Sequence, residues 1–450
     1  MATGLGSHPD FPSLSTPTAQ TQAANASSLR RAGIACFIGN FVEWFDYASY
    51  GFMAALIARL FFPEYDNSAA LIATFLVFAL SFLVRPLGGV FWGHIGDRIG
   101  RKSALSLSII IMSIATFCIA LLPTYQAIGI AAPCLLLTCR LVQGFSASGE
   151  YAGAATFLTE HAPCNQKGFY ASLVPASAAA GLLFGSLFVS GLYAWLDSEQ
   201  LLTWGWRIPF ALAAPFGMIG LYIRLHLEDA QEFVQFQQAQ KQAASQPAPI
   251  RKVLSQYPLN LMAAFGVTSL NAVGFYLLLS YMPTYLMVEL AIPETQAFAI
   301  STATLSCYII AVFAVGKLSD RIGRRRLLIY ASVCFILFTL PLFHLMGQDS
   351  LLLVLLVQIL LGLFLALNDG TLSCYLCELF PTNVRYSGFA FSFNSANALF
   401  GGTAPLVATT LIQVTGSTMA PGYYLIIVAF LALTAILYSH KSRMKPTDNA

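Results

Sequence analysis

The chain has 450 residues, of which 57% are hydrophobic and only 10% are charged, and its formal net charge is +3. Soluble globular proteins carry roughly a quarter charged residues, so this composition excludes a soluble fold and requires lipid as the solvent for most of the chain. The small positive charge gives no indication of nucleic-acid binding.

The first 29 residues are rich in Ser, Thr, Ala and Gln and lack the apolar core of a secretory signal, so 1–29 is predicted to be a disordered cytoplasmic tail. Twelve apolar runs follow. A span needs about 20 apolar residues, and backbone polar groups cannot stay unpaired in hydrocarbon, so the prediction is an all-α integral membrane protein with twelve transmembrane helices. The runs lie at 32–60, 69–92, 103–122, 126–158, 168–195, 207–224, 258–287, 296–316, 327–346, 350–377, 386–413 and 421–439.

The runs also define the predicted domains. Two six-helix bundles, at 30–225 and 257–439, are separated by a cytoplasmic central loop at 226–256 and followed by a short cytoplasmic tail at 440–450. Lys and Arg concentrate on the cytoplasmic side of membrane proteins. With an even number of helices both termini face one side, and most of the 23 Lys and Arg residues fall there. A multi-pass protein with both termini in the cytoplasm is therefore expected.

Five charged residues lie away from the ends of the spans of the first bundle. Span 1 holds Glu43 and Asp46, which are three residues apart and therefore on nearly the same helix face. Span 2 holds Arg85, and span 4 holds Arg140 and Glu150. A charge at the bilayer centre costs at least ~2.5–3.5 kcal/mol, so each needs a partner, a cavity or a function. A rise of about 1.5 Å per residue puts Arg85 and Glu150 at similar depth, which predicts that they are partners.

One charged, glycine-spaced motif occurs twice. GHIGDRIGRKSA at 93–104 follows span 2, and GKLSDRIGRRRL at 316–327 follows span 8. The ends of spans 4 and 10 also repeat an acid, a proline and a base at one constant offset. Such a duplication predicts two related halves packed about an axis along the membrane normal, which is a transporter architecture. The residues that make up the two copies are Gly93, Asp97, Arg98, Gly100, Arg101 and Glu160, and Gly316, Asp320, Arg321, Gly323, Arg324, Glu378 and Arg385.

These two copies predict a cytoplasmic gate. The glycines allow helices to approach closely, and Asp97 can cap the positive end of a neighbouring helix. Arg101 can reach Glu160, and the second copy can form the same contacts. The pairs would hold the halves together on the cytoplasmic side and must break when the site opens inward. The alternative is a solvated basic loop that serves only topology.

The second bundle has one mid-span acid, Asp369, beside Asn368 in span 10. It could contact substrate or simply be exposed to a cavity. The nine cysteines give no disulfide framework, and the six histidines form no constellation of metal ligands or catalytic bases. The chain also carries no P-loop. We therefore predict neither an enzyme nor a bound cofactor or metal.

The twin motifs resemble the two signatures of the major facilitator superfamily. Other stretches resemble its metabolite:proton symporter family, and within that family the proline/betaine transporter branch. Osmosensing members of that branch carry a long C-terminal coiled coil. This sequence stops at Ala450, eleven residues after its last span, so control by such a coil is not expected. The stretches that carry the resemblance are GNFVEWFDYASYG (39–51), RPLGG (85–89), RLVQGFSASGEYAGAA (140–155), WGWRIPF (204–210), YMPTYL (281–286), LFPTNVRYS (379–387) and APGYYL (420–425).

The resemblance implies the major facilitator fold and proton-coupled uptake of a small metabolite across a bacterial inner membrane by a monomer. A symporter needs an acid whose charge depends on occupancy, and Asp46, Glu43 and Glu150 are candidates. Their alternative role is a permanent ion pair with Arg85 or Arg140. The substrate is expected to be a zwitterion such as proline or betaine. A di- or tricarboxylate such as 2-oxoglutarate or citrate stays open, as does a channel or a substrate-sensing receptor.

Candidate substrate-binding residues follow from that expectation. Arginines could bind a carboxylate, aromatic rings could surround a quaternary ammonium, and asparagines supply neutral hydrogen bonds. Packing against neighbouring helices is the alternative for each aromatic residue. The candidates are Arg85, Arg140, Trp44, Tyr47, Phe275, Tyr276, Tyr281, Asp369, Asn271, Asn394 and Asn397.

Overall fold

The computed structural model describes residues 19–63, 67–225, 248–348 and 350–443. All regular secondary structure in these ranges is helical, and a helix covers each of the twelve predicted spans. The helices are α1 (Ala19–Phe52 and Ala54–Phe61), α2 (Asn67–Leu83 and Arg85–Arg98), α3 (Arg101–Leu121), α4 (Ala131–His161), α5 (Lys167–Ala171 and Leu173–Trp195), α6 (Ile208–Ala211 and Ala213–Leu225), α7 (Pro258–Phe275, Tyr276–Tyr281 and Met282–Val288), α8 (Glu294–Ile322), α9 (Arg324–Met346), α10 (Leu351–Leu379), α11 (Arg385–Ala396, Asn397–Gly401 and Ala404–Thr415) and α12 (Ala420–Arg443).

The prediction of an all-α membrane protein is confirmed. Within the described ranges, nine helices are long and apolar enough to cross a membrane. The other three are α1 and α4, which carry four of the five mid-span charges of the first bundle, and α6, whose described part is divided into short segments. Large apolar side chains cover the outer surface, for example Leu87, Ile310 and Leu406 at 68%, 70% and 69% exposure. In a bilayer these side chains contact lipid.

The ends of the domains differ in detail from the expected boundaries. Helix α1 begins at Ala19, inside the predicted 1–29 tail, and α12 continues to Arg443, inside the predicted 440–450 tail. In the central loop, the residues at 226–247 lie outside the described part of the chain, while Pro249–Gln256 forms a short helix. Its Val253 is fully buried, and the helix contacts both α2 and α11. The end of the central loop therefore touches both halves.

Several spans are interrupted where they approach the middle of the protein. Helix α2 breaks at Val84, immediately before Arg85 and Pro86, because a proline is best tolerated in the first turn of a helix. In the second half, α7 and α11 contain π-helical turns at Tyr276–Tyr281 and Asn397–Gly401. Such turns are frequent at functional sites.

The two halves meet where α2 packs against α11 and where α5 packs against α8. Glycine makes both contacts possible. A Cβ atom on Gly93 would lie 2.6 Å from the Ser387 Cα, and one on Gly316 would lie 2.5 Å from the Ser172 Cβ. The glycines of the duplicated motif therefore set the distance between the halves.

Candidate functional site

An ion pair joins α1 to α2 in the interior of the first half. Glu43 Oε1 lies 3.1 Å from Arg85 Nη2, and the two side chains are only 1% and 4% exposed. The Arg85 guanidinium also lies 4.4 Å from the centroid of the Phe82 ring and 4.9 Å from that of Tyr47. Removing one charge from such a pair leaves the other buried without compensation. Protonation of Glu43 would therefore make Arg85 available to another anion.

A second ion pair joins α1 to α4. Asp46 Oδ2 lies 2.9 Å from Arg140 Nη1 and accepts a hydrogen bond from Gln143 Nε2 at 3.0 Å. The Arg140 guanidinium stacks over the Tyr50 ring, 3.7 Å from its centroid. Gln143 was not among the predicted residues, although its position three residues after Arg140 puts it on nearly the same helix face.

Glu150 is buried on α4 and accepts a hydrogen bond from Ser108 Oγ at 3.3 Å. The similar depth of Arg85 and Glu150 along their helices predicts that they are partners, whereas the ion pair that the structure shows for Arg85 is with Glu43. Depth along a helix axis does not define the direction of a side chain. Glu43, Asp46 and Glu150 are the three mid-span acids of this half, and all three are buried.

The acid of the second half has a different environment. Asp369 is fully buried on α10, where its Oδ1 accepts from Asn271 Nδ2 at 2.8 Å and its Oδ2 accepts from the Tyr308 hydroxyl. Both partners are neutral. Over the described residues, no cationic side chain lies within ion-pair distance of Asp369. Tyr308 was missed by sequence reasoning because a tyrosine in an apolar helix carries no signal of its partner.

A small cavity lies between the two halves. Its volume is about 10 Å³, roughly the space of one water molecule, so a metabolite can enter only when the helices separate. Residues of α1, α4 and α5 face residues of α7 and α11 across it. The lining residues are Trp44, Tyr151, Pro175, Ala178, Asn271, Phe275, Tyr276, Phe393 and Asn397.

The cavity brings together some of the predicted substrate-binding residues and not others. Trp44, Tyr276 and Asn397 line it, together with Asn271 and Phe275. The other six candidates lie outside the lining. Arg85, Arg140 and Asp369 have the partners described above. Tyr47 packs on Arg85, the Tyr281 hydroxyl lies 3.0 Å from Thr409 Oγ1, and Asn394 Nδ2 donates to the carbonyls of Ser148 and Ala390 at 2.8 and 2.7 Å.

Among the four lining residues that were not predicted, two are aromatic, Tyr151 and Phe393. They belong to different halves and stack with ring centroids 4.3 Å apart. Tyr151 follows Glu150 directly, so its place on a charged helix was the available signal. Two other lining residues keep unused polar atoms: Trp44 Nε1 and the Tyr276 hydroxyl are buried without a hydrogen-bond partner among the described residues. Buried polar groups normally have partners, so both can serve a ligand.

On the cytoplasmic side, the first gate copy reaches across to the other half. Asp97 accepts hydrogen bonds from the backbone nitrogens of Tyr386 and Ser387, at 3.2 and 2.9 Å. These residues form the first turn of α11, where free N–H groups and the helix dipole favour an anion. Arg101 Nη1 lies 2.8 Å from Asp97 Oδ1.

Glu160, at the end of α4, joins both halves through two arginines. Its Oε1 lies 3.1 Å from Arg101 Nη2 and 2.8 Å from Arg385 Nη1. Arg101 also donates to the carbonyl of Thr382 in the second half, at 2.8 Å. The Glu160 side chain is 1% exposed. Asp97, Arg101 and Glu160 are therefore shielded from water, whereas Arg385 at the edge of the network is 16% exposed.

The second gate copy repeats this arrangement in the opposite direction. Asp320 accepts from the backbone nitrogens of Gly168 and Phe169, at 2.8 and 3.0 Å, and so caps the start of α5 in the first half. Arg324 lies 2.7 Å from Asp320 and 3.2 Å from Glu378. Here Glu378 is 36% exposed, so this copy is partly solvated.

The remaining gate residues shape the loops. Gly100 and Gly323 have φ values of 139° and 99°, which other residues rarely adopt, and each sits where one helix ends and the next begins. Arg98 and Arg321 are exposed. Their position suits the alternative role in membrane topology.

Two family descriptions match the chain. Residues 32–256 match "Sugar (and other) transporter", and residues 264–449 match "Major Facilitator Superfamily". Together these matches cover both halves.

Curated relatives match across most of the chain. The glycine betaine/proline/ectoine/pipecolic acid transporter OusA of Dickeya dadantii is 37% identical over 428 residues, which are 94% of this chain and 85% of the relative. The proline/betaine transporter of Escherichia coli K12 is 36% identical with the same coverage. Among solved structures, the proton:xylose symporter XylE bound to 6-bromo-6-deoxy-D-glucose has a TM-score of 0.76 at 17% identity, covering 93% of this chain and 96% of XylE.

Proposed function

Since the chain belongs to the major facilitator superfamily, we propose that it is a proton-coupled symporter that takes up a small zwitterion, such as proline or a betaine, by alternating access. The chain is a transporter, and the curated relatives named for proline and betaine cover most of its length. The substrate of this chain is inferred from two things: those names and the chemistry of the cavity.

The observation that carries the proposal is an aromatic cavity between the halves with a buried arginine close behind it. Arg85 lies over the Phe82 ring, and the Phe82 and Tyr276 rings are in contact, with centroids 5.5 Å apart. Tyr276 and Trp44 line the cavity. Aromatic faces suit an ammonium group, and a guanidinium suits a carboxylate. The two ends of a zwitterion thus find matching groups.

The ion pairs of the first half supply a route for proton coupling. When Glu43 takes up a proton, the attraction between Glu43 and Arg85 falls and Arg85 can bind the carboxylate of the substrate. Protonation of Asp46 would act on Arg140 in the same way, and Glu150 is close enough to influence Glu43. Proton uptake would therefore favour substrate binding, which is the condition for symport. Asp46, Glu43 and Glu150 are the proposed carriers.

The two gate copies supply the alternating step. Each aspartate caps a helix of the opposite half, so the halves cannot separate on the cytoplasmic side without breaking these hydrogen bonds. We propose that the gate closes the cytoplasmic side while the site faces outward. We further propose that the protein works as a monomer in a bacterial inner membrane, with the termini in the cytoplasm as the distribution of Lys and Arg suggests.

The alternative substrate is a di- or tricarboxylate. Two buried arginines could bind two carboxylates, but each already faces an acid. A dianion would also have to approach three mid-span acids that outnumber the two mid-span arginines of the first half. A channel or a receptor is disfavoured because two copies of one gate, built in opposite directions, suit a carrier that rocks between two states.

Uptake by purified protein in sealed vesicles tests the proposal. With an inward proton gradient, radiolabelled proline or glycine betaine should accumulate above its external concentration, and a protonophore should abolish the accumulation. Accumulation that survives the protonophore but needs a sodium gradient would replace the proton with Na⁺. Flux that only equilibrates the substrate under every gradient would indicate a channel and overturn the proposal.

A further inference from the structure

The cavity separates two buried charges of opposite sign that belong to different halves. On one side is Arg85, one aromatic ring behind the lining residue Tyr276. On the other side is Asp369, whose Oδ1 lies 2.8 Å from Nδ2 of the lining residue Asn271. A ligand in the cavity would therefore lie between a positive and a negative pole.

The negative pole is the uncompensated one. Arg85 has Glu43 as a counter-ion, whereas Asp369 is held by the amide of Asn271 and the hydroxyl of Tyr308, which are both neutral. Charges interact more strongly inside a protein than in water because the effective dielectric constant is lower. The field of Asp369 thus extends into the cavity rather than ending at a nearby cation.

Asn271 transmits this preference to the cavity surface. Its amide nitrogen points at Asp369, so its amide oxygen is the group left to accept from a ligand. The neighbouring walls are aromatic: Trp44 and Phe275 have ring centroids 4.8 Å apart, and the Tyr151–Phe393 stack lies beside them. An acceptor oxygen and several ring faces attract a cation.

We propose that Asp369 and Asn271 select for the positive charge of the substrate. The ammonium end of a zwitterion then lies among the aromatic rings while its carboxylate points toward Arg85. This inference rests on the proposed function, because it assumes that the transported substrate occupies this cavity. A di- or tricarboxylate would bring a second anion toward Asp369 and is rejected by the same geometry. Asp369 is a selectivity residue that acts through Asn271.

A pair of ligands of the same shape separates charge from fit. Glycine betaine and 3,3-dimethylbutanoate differ only in that carbon replaces the quaternary nitrogen, so the second is an anion without the positive charge. Each is used to compete with radiolabelled substrate uptake in proteoliposomes, and each is added to the purified protein in a thermal-shift assay. The measured quantity is the ratio of the two inhibition constants.

The wild type should prefer glycine betaine by at least about a hundredfold, and Asp369→Asn should reduce that ratio by at least about tenfold. Asn271→Ala should reduce it as well, and serves if Asp369→Asn fails to fold. Tyr308→Phe is the matched control: it removes the other hydrogen bond to Asp369 but keeps the carboxylate, so the ratio should stay within about threefold of wild type.

The outcomes separate the two proposals. If the wild type accumulates a zwitterion and Asp369→Asn keeps the wild-type ratio, this inference is overturned and the proposed function stands. The inference also fails if the wild type binds both ligands equally well. If the wild type accumulates only di- or tricarboxylates, both the inference and the choice of a zwitterion fail.

Discussion

The two halves of the chain share a cytoplasmic gate but differ at the level of the cavity. In the first half, buried acids face buried arginines, as in the pairs Glu43–Arg85 and Asp46–Arg140. In the second half, Asp369 faces only neutral donors. An ion pair can exchange its partner when a proton or a substrate arrives, whereas a carboxylate without a counter-ion acts directly on a cation in the cavity. We therefore propose that the first half couples transport to the proton and that the second half selects the substrate by its charge.

The gate copies show a milder version of the same asymmetry. Each aspartate caps a helix of the opposite half, so the arrangement is reciprocal. The acids at the ends of α4 and α10 differ, however: Glu160 is 1% exposed and bonds two arginines, while Glu378 is 36% exposed. The first copy should therefore contribute more to closure than the second.

The largest expected effect comes from removing an arginine of the first half. In Arg85→Ala, Glu43 loses its counter-ion and the substrate carboxylate loses its partner. Breaking a buried pair at one member costs several kcal/mol, so both accumulation and exchange should fall by at least about a hundredfold. Counterflow in proteoliposomes without a pH gradient measures exchange, and uptake with the gradient measures accumulation.

The double variant Glu43→Gln/Arg85→Gln is the control, since it leaves no unpaired charge. It should restore expression and thermal stability without restoring transport. If Arg85→Ala alone exchanges substrate at the wild-type rate, then Arg85 has no part in binding and the assignment of coupling to this half is wrong.

Neutralising the acid that carries the coupled proton should abolish accumulation of the substrate but preserve its exchange across the membrane. Asp46→Asn, Glu43→Gln and Glu150→Gln each mimic a protonated carboxyl. The variant of the residue that carries the coupled proton should lose accumulation and keep exchange within about threefold of wild type, because the loaded carrier can still rock between its two states. We expect this behaviour from Asp46 first, then Glu43, then Glu150.

The same assays contain the contrary result. Should all three variants accumulate substrate against its gradient, none of them carries the essential proton. Asp369→Asn would then be tested for accumulation, and a loss there would move coupling to the second half and reverse the comparison.

Much of this architecture could be predicted because it depends on features that repeat along the chain. Apolar runs of spanning length predict helices, and the duplicated motif predicts two halves, the helix cap by Asp97 and the contact of Arg101 with Glu160. These contacts are close to the ends of helices, where sequence spacing and helix geometry leave few alternatives. The predicted reach of Arg101 to Glu160 has its counterpart in the 3.1 Å ion pair.

The interior of the cavity could not be predicted in the same way, because lateral packing decides it. The depth of Arg85 could be counted, but the direction of its side chain toward Glu43 could not. Asn394 has an amide side chain that could bind a substrate, yet it donates hydrogen bonds to backbone carbonyls instead. Which side chains pair with each other depends on how each helix is rotated about its axis. The spacing of apolar residues in a single sequence does not determine that rotation.

Replacing the two capping aspartates compares the gate copies directly. Asp97→Asn keeps the shape and the oxygen of the cap but loses its charge, and it leaves Arg101 with less compensation. Because the Asp97 and Arg101 side chains are 0% and 1% exposed, uptake should fall about tenfold, the scale of a buried charge-assisted hydrogen bond. Asp320→Asn should slow uptake only about threefold, since Arg324 is 15% exposed and water can replace part of the lost interaction. Equal losses in the two variants would contradict the asymmetry.

The smallest effect is expected at Glu378, and its counterpart Glu160 provides the matched test. Glu160→Gln removes a buried charge that two arginines share, so the closed cytoplasmic state should lose stability and uptake should fall about fivefold. Glu378→Gln should change uptake by less than about twofold, because exposed ion pairs contribute little and Arg324 keeps its bond to Asp320.

Cys377 reports the state of the gate in this test. It is 1% exposed, and its Sγ lies 3.6 Å from Thr159 Oγ1 of the other half, so a thiol reagent reaches it only when the halves separate. In a version of the protein that keeps only this cysteine, cytoplasmic labelling should be several-fold faster with Glu160→Gln and unchanged with Glu378→Gln. If Glu378→Gln accelerates labelling as much as Glu160→Gln does, the two gate copies contribute equally to the stability of the closed cytoplasmic state. The difference in exposure between Glu160 and Glu378 then has no consequence for closure.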